Sequence, residues 1–251
     1  MPHPLVEALE AAFQRARHMD VPLSVRLKVI ADEVRALSTE FAEAVDTFVD
    51  RLERAGAGEG APGVGDLMPP FVLPDETGRL ISLDSLLQKG PAVVVFHRGH
   101  WCPYCRLSTG ALAEVQDQLA DAQLVAISPE LQTYTRKLKA EAGATFPFLT
   151  DVDSGYALAL NLAIWVDDTM AGLIASAGWD IPTYQGGPAW ILPVPAVFVV
   201  ARDGRIAARH VDPDYRRRME IKDLLVALEG VGVAGEPVKG NPASSLPRAA
   251  D

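Results

Sequence analysis

Five consecutive apolar residues, Ala92-Val93-Val94-Val95-Phe96, lead through His97 into the run Arg98-Gly99-His100-Trp101-Cys102-Pro103-Tyr104-Cys105. An apolar, β-branched run with no alternation belongs to a strand covered on both faces, which requires helices above and below it. The two cysteines then fall at the first turn of the next helix. There, unpaired backbone N–H groups and the positive end of the helix dipole both favour a thiolate.

The chain holds only these two cysteines. A bridge between residues three apart closes too small a loop to restrain the unfolded chain usefully, so their value lies in reactivity or metal binding. His97, His100, Cys102 and Cys105 supply four zinc-competent side chains within nine residues. Bringing all four onto one tetrahedral centre would contort a loop that ends a strand and starts a helix. The expectation is therefore a redox pair with no metal and no cofactor, partly exposed at the strand-to-helix turn. A zinc-stabilised binding module is the reading from a different class.

Around this centre the pattern alternates strand and helix. Phe71–Leu73 and Leu80–Ser82 flank a turn and suggest a hairpin, followed by a short helix to Gln88. Leu112, Val115 and Leu119 mark the helix after the cysteines. Leu124–Ile127 reads as a covered strand, Leu131–Ala142 as a helix and Phe146–Leu149 as a strand. Such alternation implies parallel strands with right-handed crossovers. The apolar run Trp190–Ala201 reads as buried strand, and Ala196–Val200 with Arg205–Val211 as an antiparallel hairpin before a helix over Ile221–Leu228. Residues 154–187 are read as a mostly helical insertion.

Residues 1–54 repeat apolar side chains at helical spacing and form a helical arm. It packs either on its own domain or on a second subunit, so a homodimer or higher homo-oligomer is expected. Residues 55–64, rich in glycine and alanine, are a linker by composition. Residues 65–230 make the main domain, and 231–251 a flexible tail.

With 33 acidic and 23 basic residues the net charge is −10, a field that repels nucleic acid and anionic membranes. No run approaches the ~18 to 20 apolar residues of a bilayer-spanning helix. Glu7 and Glu10 stand where a secretory signal would be apolar, making the cytoplasm the default compartment.

The stretch Arg98-Gly99-His100-Trp101-Cys102-Pro103-Tyr104-Cys105 resembles one branch of the alkyl hydroperoxide reductase/thiol-specific antioxidant, or peroxiredoxin-like, family. The likeness extends over about residues 65–229. It takes in Gly65–Pro74, Ile127-Ser128-Pro129, Leu192–Ala196 and Val211–Tyr215, and the arm also looks like that branch.

The resemblance implies an α/β, thioredoxin-like three-layer sandwich with a mixed central sheet. It also implies a thiol peroxidase acting on hydrogen peroxide or alkyl hydroperoxides and recycled by a thioredoxin-like or other dithiol reductant. The family pattern Pro-x-x-x-Thr-x-x-Cys, laid on this chain without gaps, puts Arg98 at the proline, Cys102 at the threonine and Cys105 at the nucleophile. Analogy with thioredoxin would instead choose Cys102. A protein disulfide reductase or exchange protein is the alternative function. Trp101 and Arg98 are supporting residues, Arg98 as a guanidinium able to hold a thiolate or a peroxide oxygen. Pro195 is a third, and Val194–Pro195 is a candidate cis peptide because such folds place a cis proline beside their cysteine pair.

Overall fold

The structure is a computed structural model and describes residues 4–119 and 121–234. Three helices come first, α1 (Pro4–Ala16), α2 (Leu23–Leu37) and α3 (Thr39–Arg54). The hairpin β1 (Val72–Pro74) and β2 (Leu80–Ser82) follows, then α4 (Leu83–Leu87), β3 (Ala92–Phe96), α5 (Pro103–Glu114), β4 (Gln123–Ser128), α6 (Gln132–Ala142) and β5 (Phe148–Thr150). The insertion contributes α7 (Gly155–Ala159), β6 (Ala163–Trp165), α8 (Asp168–Ser176) and α9 (Ile181–Gln185). The chain closes with β7 (Ile191–Pro193), β8 (Ala196–Val200), β9 (Ile206–Val211) and α10 (Ile221–Ala234).

The main sheet has the order β5-β4-β3-β8-β9. β3, β4 and β5 run parallel, while β8 is antiparallel to both β3 and β9. β3 and β8 are buried along their whole length, as the unbroken apolar runs require. The pleat divides β3 between two cores. Ala92, Val94 and Phe96 pack with Leu83, Leu86 and Tyr156 on one face, and Val93 and Val95 with Leu112, Leu138 and Leu224 on the other. The result is the three-layer sandwich with a mixed sheet.

The apolar run around residue 195 is two strands rather than one. Pro193 and Pro195 have no N–H to give a continuous ladder, so the chain changes partners there: β7 pairs with β6, and β8 joins the main sheet. The insertion is accordingly helical with one strand in it. Val194–Pro195 is trans. That corrects the cis expectation, since a proline just ahead of a strand is accommodated without isomerisation. α10 continues through Ala234, so the first four residues assigned to the tail extend a helix. The remainder of that tail, residues 235–251, lies outside the described residues.

The arm packs on its own chain. Leu5, Leu9, Phe13, Leu27, Ile30, Phe41, Val45 and Phe48 enter one core with Trp101, Tyr104 and Leu107 of the cysteine helix and Met170 and Ile174 of α8. Each such side chain contributes about 1.5–3 kcal/mol before ordering costs. Polar ties fix the arm as well. Arg106 of α5 donates to Glu10 at 2.7 Å and to Glu141, and Glu220 accepts the N–H groups of Leu23 and Ser24 at the start of α2. The apolar face that was offered to a second subunit is thus covered within the chain.

The glycine-rich segment is docked rather than loose. Arg209 donates to the carbonyls of Ala61 and Pro62, and a Cβ on Gly58, which has φ +84, would lie 2.7 Å from Val211 Cγ1. Among the described residues no helix is long and apolar enough to cross a membrane.

Candidate active site

The cysteines lie where β3 passes into α5, at the carboxyl end of the parallel strands, where ligand sites of open α/β sheets form. Cys102 is the N-cap of α5 and Pro103 occupies its first turn, which loses nothing there by lacking an N–H. Cys105 stands on that same turn. Both sulfurs are buried, at 1% and 0% exposure. The expected partial exposure is absent because the arm and α8 lie over this turn.

Three donors converge on Cys105 Sγ. The backbone N–H of Arg98 lies at 3.3 Å, Arg218 Nη2 at 3.7 Å, and the Cys102 thiol donates as well. Burial pushes the Cys105 pKa up, but these donors outweigh it and hold the thiol well below its ordinary range. For Cys102 the balance is opposite. Burial and its role as donor to Cys105 keep its proton on, well above the ordinary range.

The connecting loop is held from behind. Gly99 has φ +139, and a Cβ there would meet the Glu130 carboxyl at 2.5 Å, so glycine is required. Glu130, fully buried, accepts from the His100 N–H at 2.7 Å and contacts His100 Nδ1 at 2.6 Å. Burial raises its pKa against the pull of His100. Tyr134 and Tyr184 enclose the His100 ring, each at 4.8 Å. His97 is buried with neither ring nitrogen hydrogen-bonded, its ring against Phe148, and burial lowers its pKa to about 4. With His100 turned to Glu130 and His97 to Phe148, the four proposed zinc ligands do not converge. Among the described residues no group of three or more such side chains is placed to hold a metal.

The Arg98 guanidinium lies 3.9 Å from the Tyr215 ring centroid and 5.1 Å from that of Trp101, which itself packs on Trp179 at 5.8 Å. Pro195 is one step beyond the Phe96–Ala196 pair and so sits level with the start of the cysteine loop. The structure therefore gathers Cys102, Cys105, Arg98 and Trp101 at one site, with Pro195 at its edge.

Two contributors escape a reading of the sequence. Arg218 belongs to a triple-arginine run that reads as a solvated helix start, and Glu130 carries no motif of its own. The second was open to inference, because it follows Ser128-Pro129 at the carboxyl end of β4, beside the end of β3. A cavity of about 390 Å³ reaches this site between the arm, α8 and the 215–218 turn. Arg98, Trp101 and Cys102 line it, and Cys105 does not.

Residues 64–209 match the family model described as the AhpC/TSA family. No curated protein matches the chain by sequence. Among solved structures, the fold is similar to peroxidoxin BcpB from Mycobacterium tuberculosis, with TM-score 0.52 and 20% identity over 67% of this chain and 97% of that one. It is also similar to a peroxiredoxin-like protein from Aquifex aeolicus, with TM-score 0.55 and 13% identity over 68% and 88%. A third likeness is peroxiredoxin 6 of Arenicola marina, with TM-score 0.54 and 15% identity over 73% and 81%. These identities support the fold. The family model spans more than half of the chain and includes β3, the cysteine loop and α5, and on that ground the chain belongs to the AhpC/TSA family, the thiol-dependent peroxidases.

Proposed function

We propose that the protein reduces peroxides with Cys105 as the attacking thiolate and Cys102 as the resolving thiol. The observation that carries this assignment is the set of three donors on Cys105 Sγ, which keeps the nucleophile ionised inside a buried site. Arg98 joins the two halves of the site: it lines the cavity, and its N–H touches the sulfur. A peroxide seated against Arg98 is therefore led to Cys105.

The Cys105 sulfur attacks the terminal oxygen of the peroxide; an S–O bond forms as the O–O bond breaks. The electron pair leaves on the alkoxide or hydroxide, which takes a proton from solvent, and Cys105 becomes a sulfenic acid. Cys102 sulfur then bonds to Cys105 sulfur and water departs, carrying the hydroxyl and the Cys102 proton. An external dithiol returns two electrons and two protons by exchange, restoring both thiols. A thioredoxin-type dithiol in the cytoplasm is the reductant that fits this step. Nothing in the sequence of steps needs a metal or an organic cofactor. Any association of copies would use surfaces other than the arm's covered face.

The second reading, a disulfide reductase or exchange protein, rests on one observation: Cys102, not Cys105, lines the cavity. Stopped-flow loss of thiol after mixing reduced protein with one equivalent of peroxide separates the two. A peroxidase outruns a free thiol by orders of magnitude, whereas an exchange protein reacts with peroxide at the free-thiol rate and with disulfides instead.

A further inference from the structure

We infer that one buried water, shared by His210, Ser108 and Arg218, fixes the Arg218 guanidinium against Cys105 Sγ, and that His210 is thereby a positioning residue for the nucleophile. This role rests on Cys105 as the attacking thiolate and adds the group that holds its cation in place.

His210 is a histidine in a row of valines. Across the main sheet Val95 of β3 pairs with Val197 of β8, and Val197 pairs with His210 of β9. Directly paired residues point to one face, so His210 lies on the side where Val95 and Val197 pack with Leu112 of α5 and Leu224 of α10. Its neighbour Arg209 points the other way and binds the Ala61 and Pro62 carbonyls. An imidazole on an apolar row brings polar atoms that need partners. The His210 Nε2 is buried and has no hydrogen-bond partner among the described residues.

His210 lines a cavity of about 20 Å³. A single water needs roughly 10–15 Å³, so one fits. The other polar side chains on the wall are Ser108 and Arg218, and the remainder is apolar. A buried water typically makes about three hydrogen bonds, and three groups of the right kind stand here. Ser108, 6% exposed, donates its hydroxyl proton to the Cys105 carbonyl at 3.1 Å, which leaves its oxygen free to accept. Burial first, with the Arg218 charge also contributing, lowers the His210 pKa against the pull of Asp212, so at neutral pH the ring is neutral and offers a lone pair. The guanidinium only donates. A water that donates to His210 and Ser108 and accepts from Arg218 satisfies all three.

Without that water Arg218 is tied chiefly to its own turn. Its Nη1 donates to the carbonyls of Tyr215 and Arg217, the latter at 2.7 Å, and those partners move with the turn. The water links the guanidinium to β9 through His210 and to α5 through Ser108, three residues beyond Cys105. Nη2 is then held at its 3.7 Å from Sγ by two elements of the rigid core.

Two measurements test this. A high-resolution crystal structure of the reduced protein should show an ordered water within hydrogen-bond distance of His210 Nε2, Ser108 Oγ and a nitrogen of Arg218. In solution, His210→Leu should raise the pH at which the Cys105 thiolate absorbance appears. It should also slow oxidation by hydrogen peroxide at neutral pH about tenfold, less than outright loss of a donor at a reacting centre. His210→Gln, whose amide reaches the place of Nε2, should restore most of both. In an Arg218→Met background His210→Leu should move neither any further, because the two residues act in series. Ser108→Ala removes another partner of the water, should shift the midpoint in the same direction, and serves in place of His210→Leu if that variant fails to fold. A wild-type site without water overturns the inference, as does a His210→Leu midpoint equal to wild type. A shift of the same size with and without Arg218 also overturns it, since His210 would then act by another route. An ordinary thiol midpoint in the wild type removes the Cys105 reading itself, and this role with it.

Discussion

Arg218 Nη2 stands 3.7 Å from Cys105 Sγ across 113 residues of sequence, so the turn after β9 supplies a positive charge to a sulfur on the first turn of α5. Together with the Arg98 N–H it makes a buried thiolate possible where burial alone would forbid one.

Replacing Arg218 by methionine should raise the Cys105 pKa. In the wild type, the ultraviolet absorbance of the thiolate should persist as pH falls below the ordinary thiol range; in Arg218→Met it should disappear at higher pH. Reaction with peroxide at neutral pH should slow by about tenfold to a hundredfold, the scale for losing one donor at a reacting centre. An unmoved titration midpoint would show that the guanidinium does not act on this sulfur.

Gly99→Ala should be among the more damaging single-methyl additions in the chain. It combines a backbone at φ +139 with a Cβ 2.5 Å from the buried Glu130 carboxyl. The strain should cost about 1–3 kcal/mol and shift the loop that presents the Arg98 N–H. A denaturant midpoint and a peroxide rate both equal to wild type would contradict the packing described here.

His97 makes a prediction about acid. Its folded pKa, about 4, is depressed from 6.5, so the unfolded chain binds the proton more readily. Stability from the neutral ring is therefore full above 6.5 and is lost as pH falls towards 4, by about 3 kcal/mol. His97→Phe should lack this component, leaving its urea midpoint less sensitive to acid than that of the wild type. Identical acid profiles would mean that the ring is not buried as described.

Deleting the arm separates the two packings that its sequence allows. Regular apolar spacing over residues 1–54 fits either the chain's own domain or a second subunit, and in the structure that face covers α5 and α8 of the same chain. Removing the arm should expose the cysteine helix, speed alkylation of Cys102 and lower the melting temperature. A well-folded, smaller oligomer by light scattering would restore the arm to a subunit interface.

The central layers were readable because buried parallel strands leave unbroken β-branched runs, and Ala92–Phe96 and Ala196–Val200 are strands from end to end. The cysteine pair, Arg98 and Trp101 were readable because they are contiguous in sequence. The burial of the site was not, since spacing cannot say what an amphipathic arm packs against. Arg218 was hidden for a related reason: its approach to Cys105 from the turn after β9 spans 113 residues and depends on topology, not on local pattern. The trans bond at Pro195 also lay outside local pattern, because a proline at the edge of a strand reads alike in either isomer.

The most direct test of the account is to trap the sulfenic acid in single-cysteine variants and map it. In Cys102→Ser, one equivalent of hydroperoxide should label Cys105 at a rate far above that of a free thiol, because two of the three donors on Cys105 Sγ, the Arg98 N–H and Arg218, remain. In Cys105→Ser, Cys102 should react no faster than a free thiol, because burial still holds its proton on. Label on Cys102 in Cys105→Ser, formed at the wild-type rate, would contradict the assignment and make the sulfur that lines the cavity the nucleophile.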